Sequence, residues 1–111
     1  MLLNGYIYLF VQIDEFGAET YKLGFTKNNP TFRLKQLSTG NPNEIRLLNF
    51  YESENYQKIE HWLHKKFHNT QTLSENEWFN LPQEFILNFK EECKKIDDVI
   101  SLLKKENHFY K

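Results

Sequence analysis

Cysteine occurs once in these 111 residues, at Cys93, which excludes an intramolecular disulfide and a cysteine-based zinc site. No run approaches the ~18 apolar residues a membrane helix needs. Met1-Leu2-Leu3-Asn4 leads straight toward a strand rather than into a signal peptide. There is no internal repeat, low-complexity tract or linker, so residues 1–111 read as one domain, soluble and cytoplasmic. A strong charge of either sign is also missing: the formal net charge is −1, which counts against a nucleic-acid binder, since phosphate affinity comes from Lys and Arg. What is present in quantity is apolar and aromatic side chains, 40% and 16% of the chain, enough for a real core rather than wholesale disorder.

The neutral total hides an uneven distribution. Residues 22–46 hold Lys22, Lys27, Arg33, Lys35 and Arg46 against the single acid Glu44, while the acidic excess lies in Asp14-Glu15 and toward the C-terminus. A local basic face is therefore expected, with Lys27, Lys35 and Arg46 as candidate DNA contacts.

Residues 6–13, YIYLFVQI, are β-branched and aromatic and predict a strand buried on both faces. Asp14-Glu15-Phe16-Gly17 is turn chemistry, and 20–25, TYKLGF, predicts the partner strand of a hairpin. Asn28-Asn29-Pro30 opens a helix that runs to about Ser38, where Gly40 and Pro42 stop it. A third strand is expected from Ile45 to Tyr51. Ser53 can cap a helix over 54–67, whose Ile59, Trp62, Leu63 and Phe67 have helical spacing. After a polar loop comes the short apolar segment Trp78-Phe79-Asn80-Leu81, and Pro82 opens a long helix to about Lys105. The order ββαβαβα predicts an α+β fold: a small three- to four-stranded mixed or antiparallel sheet flanked by helices, with its core over 5–81. Along the last helix, Ile86, Phe89, Cys93, Ile96, Ile100 and Leu103 alternate spacings of three and four. That stripe either packs on its own core, the reading favoured here, or forms a seam in a homodimer.

Two short segments carry the chemistry. Gly5-Tyr6-Ile7-Tyr8-Leu9-Phe10 and Tyr21-Lys22-Leu23-Gly24 are followed nine residues later by Arg33, and Glu60 and His64 then lie one helical turn apart. This ordered set resembles the catalytic surface of the GIY-YIG endonucleases, in the small stand-alone form of phages and bacteria, over roughly residues 5–81. Tyr8 matches the tyrosine of the first triplet. Tyr6 stands where Gly is usual, with Gly5 just before it, and Lys22 stands where the second triplet usually has Tyr. The resemblance implies that Tyr8 activates or positions the attacking water, with Tyr6 beside it and Lys22 helping to handle the proton. It further implies Arg33 on the scissile phosphate, Glu60 as the ligand of Mg²⁺ or Mn²⁺, and His64 as a proton donor or phosphate contact. Asn76-Glu77-Trp78-Phe79 resembles the closing motif of this branch, with Glu77 supporting the metal or ordering Arg33; Trp78 and Phe79 read as core.

Each residue has a plainer explanation. Tyr6 and Tyr8 could be core aromatics, Arg33 and Glu60 solvated helix charges, and Glu60 with His64 an intrahelical pair. A zinc site from Glu60, His61 and His64 is disfavoured, because His61 leaves the face the other two share. The set as a whole predicts a metal-dependent endonuclease acting on DNA, RNA not being excluded, with low intrinsic sequence specificity. The alternatives are a catalytically inactive module of the same fold that binds nucleic acid or a protein partner in a mobile-element or defence setting, and an interaction protein assembled through the C-terminal helix.

Overall fold

Apolar side chains at every position from Ile7 to Val11 leave that strand no solvent-facing side, and it takes the centre of the sheet. The computed structural model describes residues 3–67, 78 and 80–106. Strand β1 (Gly5–Ile13) lies between β2 (Glu19–Thr26) and β3 (Glu44–Ser53), antiparallel to both, in the order β2-β1-β3. The β1–β2 turn is closed by Asp14, whose Oδ1 accepts the N–H groups of Phe16 (2.8 Å) and Ala18 (2.9 Å). Gly17 supplies the positive φ of 82° that an L side chain rarely adopts.

Period-two alternation divides the sheet between two clusters. Ile7, Leu9 and Val11, with Tyr21 and Leu23 of β2, face Ile59, Leu63 and Phe67 of α2 (Tyr56–Phe67), Phe85 of α3 (Gln83–Leu87), and Phe89, Cys93 and Ile100 of α4 (Phe89–Glu106). Tyr8 and Phe10 face the other way, against Ile45, Leu47 and Trp78, under Leu34 and Leu37 of α1 (Pro30–Ser38). Each large side chain fully buried in this way stabilises the fold by about 1.5–3 kcal/mol relative to exposure.

The β1–β3 ladder shifts register between Leu9 and Phe10, which pair with Asn49 and Leu47 and leave Leu48 as the extra residue of a bulge. The shift turns Ile45 and Leu47 onto the Tyr8–Phe10 side. Arg46 thereby falls opposite Val11, on the other face.

Helix α1 begins as predicted: Asn29 Oδ1 accepts Thr31 N–H at 2.9 Å, and Pro30 occupies the first turn. Helix α2 begins at Tyr56, two residues later than expected. Ser53 Oγ accepts the N–H of Asn55 (2.9 Å), and it is the Asn55 carbonyl that accepts the first helical N–H, from Ile59. The expected helix over 82–105 is two helices. Asn88 sits between them at φ −110°, ψ 26°, its side-chain amide donating back to the Glu84 carbonyl at 3.0 Å. Trp78, Asn80 and Leu81 form no strand, so the sheet has three strands among the described residues. The α4 stripe is spent inside its own chain, with Leu103 left 38% exposed. Its far end is tied down by polar contacts: Asp97 accepts from Tyr51 Oη and Asn55 Nδ2, both at 2.8 Å, and Lys104 donates to Asn55 Oδ1.

Candidate active site on the β1–β2 hairpin

In the β1–β2 register Tyr8 pairs with Gly24 and Phe10 with Lys22, so all four lie on one face and Lys22 is the diagonal neighbour of Tyr8. Tyr8 and Lys22 therefore share one face of the hairpin. Tyr8 stacks on Phe10 with ring centroids 4.2 Å apart, and its phenol lies directly over Gly24, where any Cβ would overlap the ring and hydroxyl. Gly5 performs a similar service for α2: a Cβ there would come within 2.6 Å of the Tyr56 ring. Tyr6 shares the Tyr8 face, opposite Thr26, and meets Phe50 edge-on at 5.8 Å.

Tyr8 and Lys22 are only 2% and 5% exposed. Lys22 therefore belongs to the interior of the site and not to an exposed basic face. The Lys22 ammonium nevertheless acts on Glu60 of α2. Burial pushes the Glu60 carboxyl above the ordinary carboxylate range, and His64, His61 and Lys22 pull it back. A largely buried carboxylate thus lies within the electrostatic influence of His64, His61 and Lys22.

His64 stands 3.5 Å from Glu60 Oε2 through Nε2, the (i, i+4) pair that helical spacing requires. The same nitrogen lies 2.6 Å from the Leu23 carbonyl. Leu23 is on an edge strand, and His64 satisfies its carbonyl, which pins α2 to β2 beside Lys22. This anchor has no side-chain signature in the sequence. With Nε2–H committed to a backbone acceptor, that nitrogen is not free to deliver a proton.

Arg33 is half-buried on α1, where Leu34 and Leu37 pack on the Tyr8 cluster, and its guanidinium donates to Gln36 Oε1 at 3.3 Å. Lys27 and Lys35 are exposed on the same β2–α1 side of the chain. Arg46 is not with them. It lies on the opposite face of the sheet, ion-paired with Glu44, so the expected five-cation surface does not form: only Lys27, Arg33 and Lys35 remain available, and Arg33 and Lys35, two residues apart on α1, do not share a helix face. Trp78 is buried against Tyr8 and Phe10, as core; Glu77 and Phe79 lie outside the described residues.

The T5orf172 domain matches residues 5–102, nearly the whole chain, and the match takes in both hairpin strands, α1 and the Glu60–His64 turn. The chain belongs to the T5orf172 domain family. No curated protein and no solved structure matches it. In this T5orf172 domain the matched stretch extends through most of α4, so the terminal helix is part of the family unit rather than an appendage. No helix among the described residues is long and apolar enough to cross a membrane.

Proposed function

We propose that this T5orf172 domain is a metal-dependent endonuclease that hydrolyses phosphodiester bonds in DNA, with chemistry of the GIY-YIG kind. The observation that supports it best is the juxtaposition of Tyr8 over Gly24 with Lys22 diagonal to it and Glu60 within reach of the Lys22 charge. An isolated phenol with pKa near 10 is ionised about one part in a thousand at neutral pH. An ammonium within about 4–6 Å favours the phenolate and lets the oxygen accept a proton from water. Arg33 can fork onto two phosphate oxygens as charge accumulates there. His64, fixed by the Leu23 carbonyl, lies beside the Glu60 carboxylate, 3.5 Å away.

The residues present fit Mg²⁺ as a weakly held ion. Among the described residues no three His, Cys, Asp or Glu side chains cluster as a metal cage. Mg²⁺ keeps several waters and takes only one or two carboxylates together with substrate phosphates. Glu60, partly desolvated with its side chain 20% exposed, can supply one such carboxylate. When bound, the ion would polarise the phosphate and favour ionisation of water.

A second reading, a binding module of the same fold without catalysis, draws on the near-complete burial of Tyr8 and Lys22, which gives substrate little access to either. Supercoiled-plasmid nicking with Mg²⁺ or Mn²⁺, with and without EDTA, separates the two. Cleavage that needs the metal and is lost in Tyr8→Phe supports the endonuclease. Failure to cut any DNA or RNA would pass the assignment to the binding module.

A further inference from the structure

The outward face of α1 combines an exposed aromatic ring with polar side chains. Asn29, Phe32, Lys35, Gln36 and Thr39 recur at helical spacing, i, i+3, i+6, i+7 and i+10, and form one stripe. With Thr31 they line a groove of about 450 Å³, within the range of ligand pockets, roughly 300–1,000 Å³. Phe32 is 65% exposed on this face, while its neighbours Leu34 and Leu37 turn inward to the Tyr8 cluster. A phenyl ring left in solvent on an otherwise polar stripe forgoes burial and is available to an incoming flat, apolar surface.

The polar groups around it share one hydrogen-bonding sign. Asn29 spends its Oδ1 on Thr31 N–H, and Gln36 spends its Oε1 on Arg33. Their amide N–H₂ groups remain as donors without a partner among the described residues, beside the Lys35 ammonium. Thr39 directs its hydroxyl proton to the Lys35 carbonyl. No Asp or Glu occurs between Thr20 and Asn43, so nothing acidic from this part of the sequence opposes an anion here. The groove thus offers an aromatic platform, donors and a cation to a ligand that is flat, acceptor-rich and negatively charged.

We propose that this groove binds an unpaired nucleotide of a nucleic-acid strand, its base stacked on Phe32 and its phosphate on Lys35. The stack is sequence-tolerant because every base has a π-face. A base inside a duplex has both faces covered by the neighbouring base pairs, so the groove favours single-stranded or locally opened substrate over intact duplex. The inference rests on the nuclease reading only in naming nucleic acid as the substrate; it concerns binding, not cutting.

The test is therefore made in EDTA, without turnover, by fluorescence anisotropy with a labelled 20-nucleotide oligothymidine and a labelled 20-base-pair duplex. Phe32→Ala should weaken oligothymidine binding about tenfold while changing duplex binding less than twofold, and Phe32→Trp should restore it. Lys35→Ala should weaken both probes and reduce the single-strand salt slope by about 0.7. Phe32 is exposed, so an unchanged thermal transition is expected for its variants and serves as the folding control. Equal single-strand affinities for wild type and Phe32→Ala, or an equal loss on both probes, would overturn the proposal. An inactive protein that still shows the Phe32 dependence would retract the nuclease and keep the groove. An active one without that dependence would do the reverse.

Discussion

Tyr8 and Gly24 form a matched pair across the hairpin: the phenol occupies the volume that a side chain at position 24 would need. The ring has no room to yield, because it is buried and stacked on Phe10. Gly24 is extended, without a positive φ, so its smallness rather than its backbone freedom is what the site uses. Gly24→Ala should therefore destabilise the protein by about 1–3 kcal/mol through overpacking. In a Tyr8→Ala background the same substitution should cost far less. Urea denaturation of the four proteins measures this; equal costs in both backgrounds would show that the contact is not the reason for the glycine.

Loss of the Glu60 carboxylate or the Arg33 guanidinium should reduce nicking by roughly 100-fold or more, the scale expected when a transition-state charge partner is removed. Neither side chain is in the core, so Glu60→Ala and Arg33→Ala should retain the wild-type far-ultraviolet spectrum. A purified Glu60→Ala protein that nicks at the wild-type rate would refute the assignment of this carboxylate.

The local parts of this arrangement were legible in the sequence. The Asn29–Pro30 helix start, the Asp14 turn and the shared parity of Tyr8 and Lys22 each depend on a few adjacent residues and on hairpin geometry. What was not legible depends on distant partners. The bulge at Leu48 is decided by packing of Ile45 and Leu47 on Phe10, and one extra residue reverses the face of everything beyond it. That is why Arg46 leaves the basic surface. The break at Asn88 and the burial of Lys22 are tertiary in the same sense. The outward turn of Phe32 is tertiary too: an aromatic among Leu34 and Leu37 reads as core until the packing of α1 shows which of them face the sheet.

The polar knot at Asp97 should govern docking of α4. Asp97→Ala leaves Tyr51 Oη without its acceptor and the buried Asn55 amide with Ser101 Oγ alone, and should cost about 1–3 kcal/mol. Burial first, then Asp97, raises the Tyr51 phenol well above its ordinary value of 10.0. Because the folded-state pKa is the raised one, this stability is intact below pH 10 and declines as pH rises beyond it. Tyr51→Phe should flatten that alkaline decline. A variant that loses stability above pH 10 as steeply as wild type would mean another group is responsible.

Cys93 should be silent toward thiol reagents until the protein opens. Burial, then Asp97 and Glu92, pushes its thiol up to about 12, and the side chain has no solvent exposure. At pH 8 only about one part in ten thousand is thiolate, and that fraction is out of reach. Labelling by a disulfide reagent should track the opening of α4, and Asp97→Ala should accelerate it. Rapid labelling of the native wild-type protein would contradict the packing of α4 described above.

Duplex binding should be modest, largely sequence-blind and salt-sensitive, but less steeply than the cation count of residues 22–46 implies. Five phosphate contacts would give a slope in log affinity against log salt of about −4 to −5, since each contributes about 0.9. Lys22 is buried and Arg46 faces away, paired with Glu44, which leaves Lys27, Arg33 and Lys35 and an expected slope of about −2 to −3. Arg46→Ala should leave the slope unchanged, whereas Lys35→Ala should lower its magnitude by about one. Affinities on two unrelated duplexes should agree within a few-fold, because contacts made by Lys27, Arg33 and Lys35 to phosphate carry no base information. A slope that falls in Arg46→Ala would place the DNA on the face of the sheet away from Tyr8 and α1, and the assignment of Tyr8 and Arg33 to the scissile phosphate would fail.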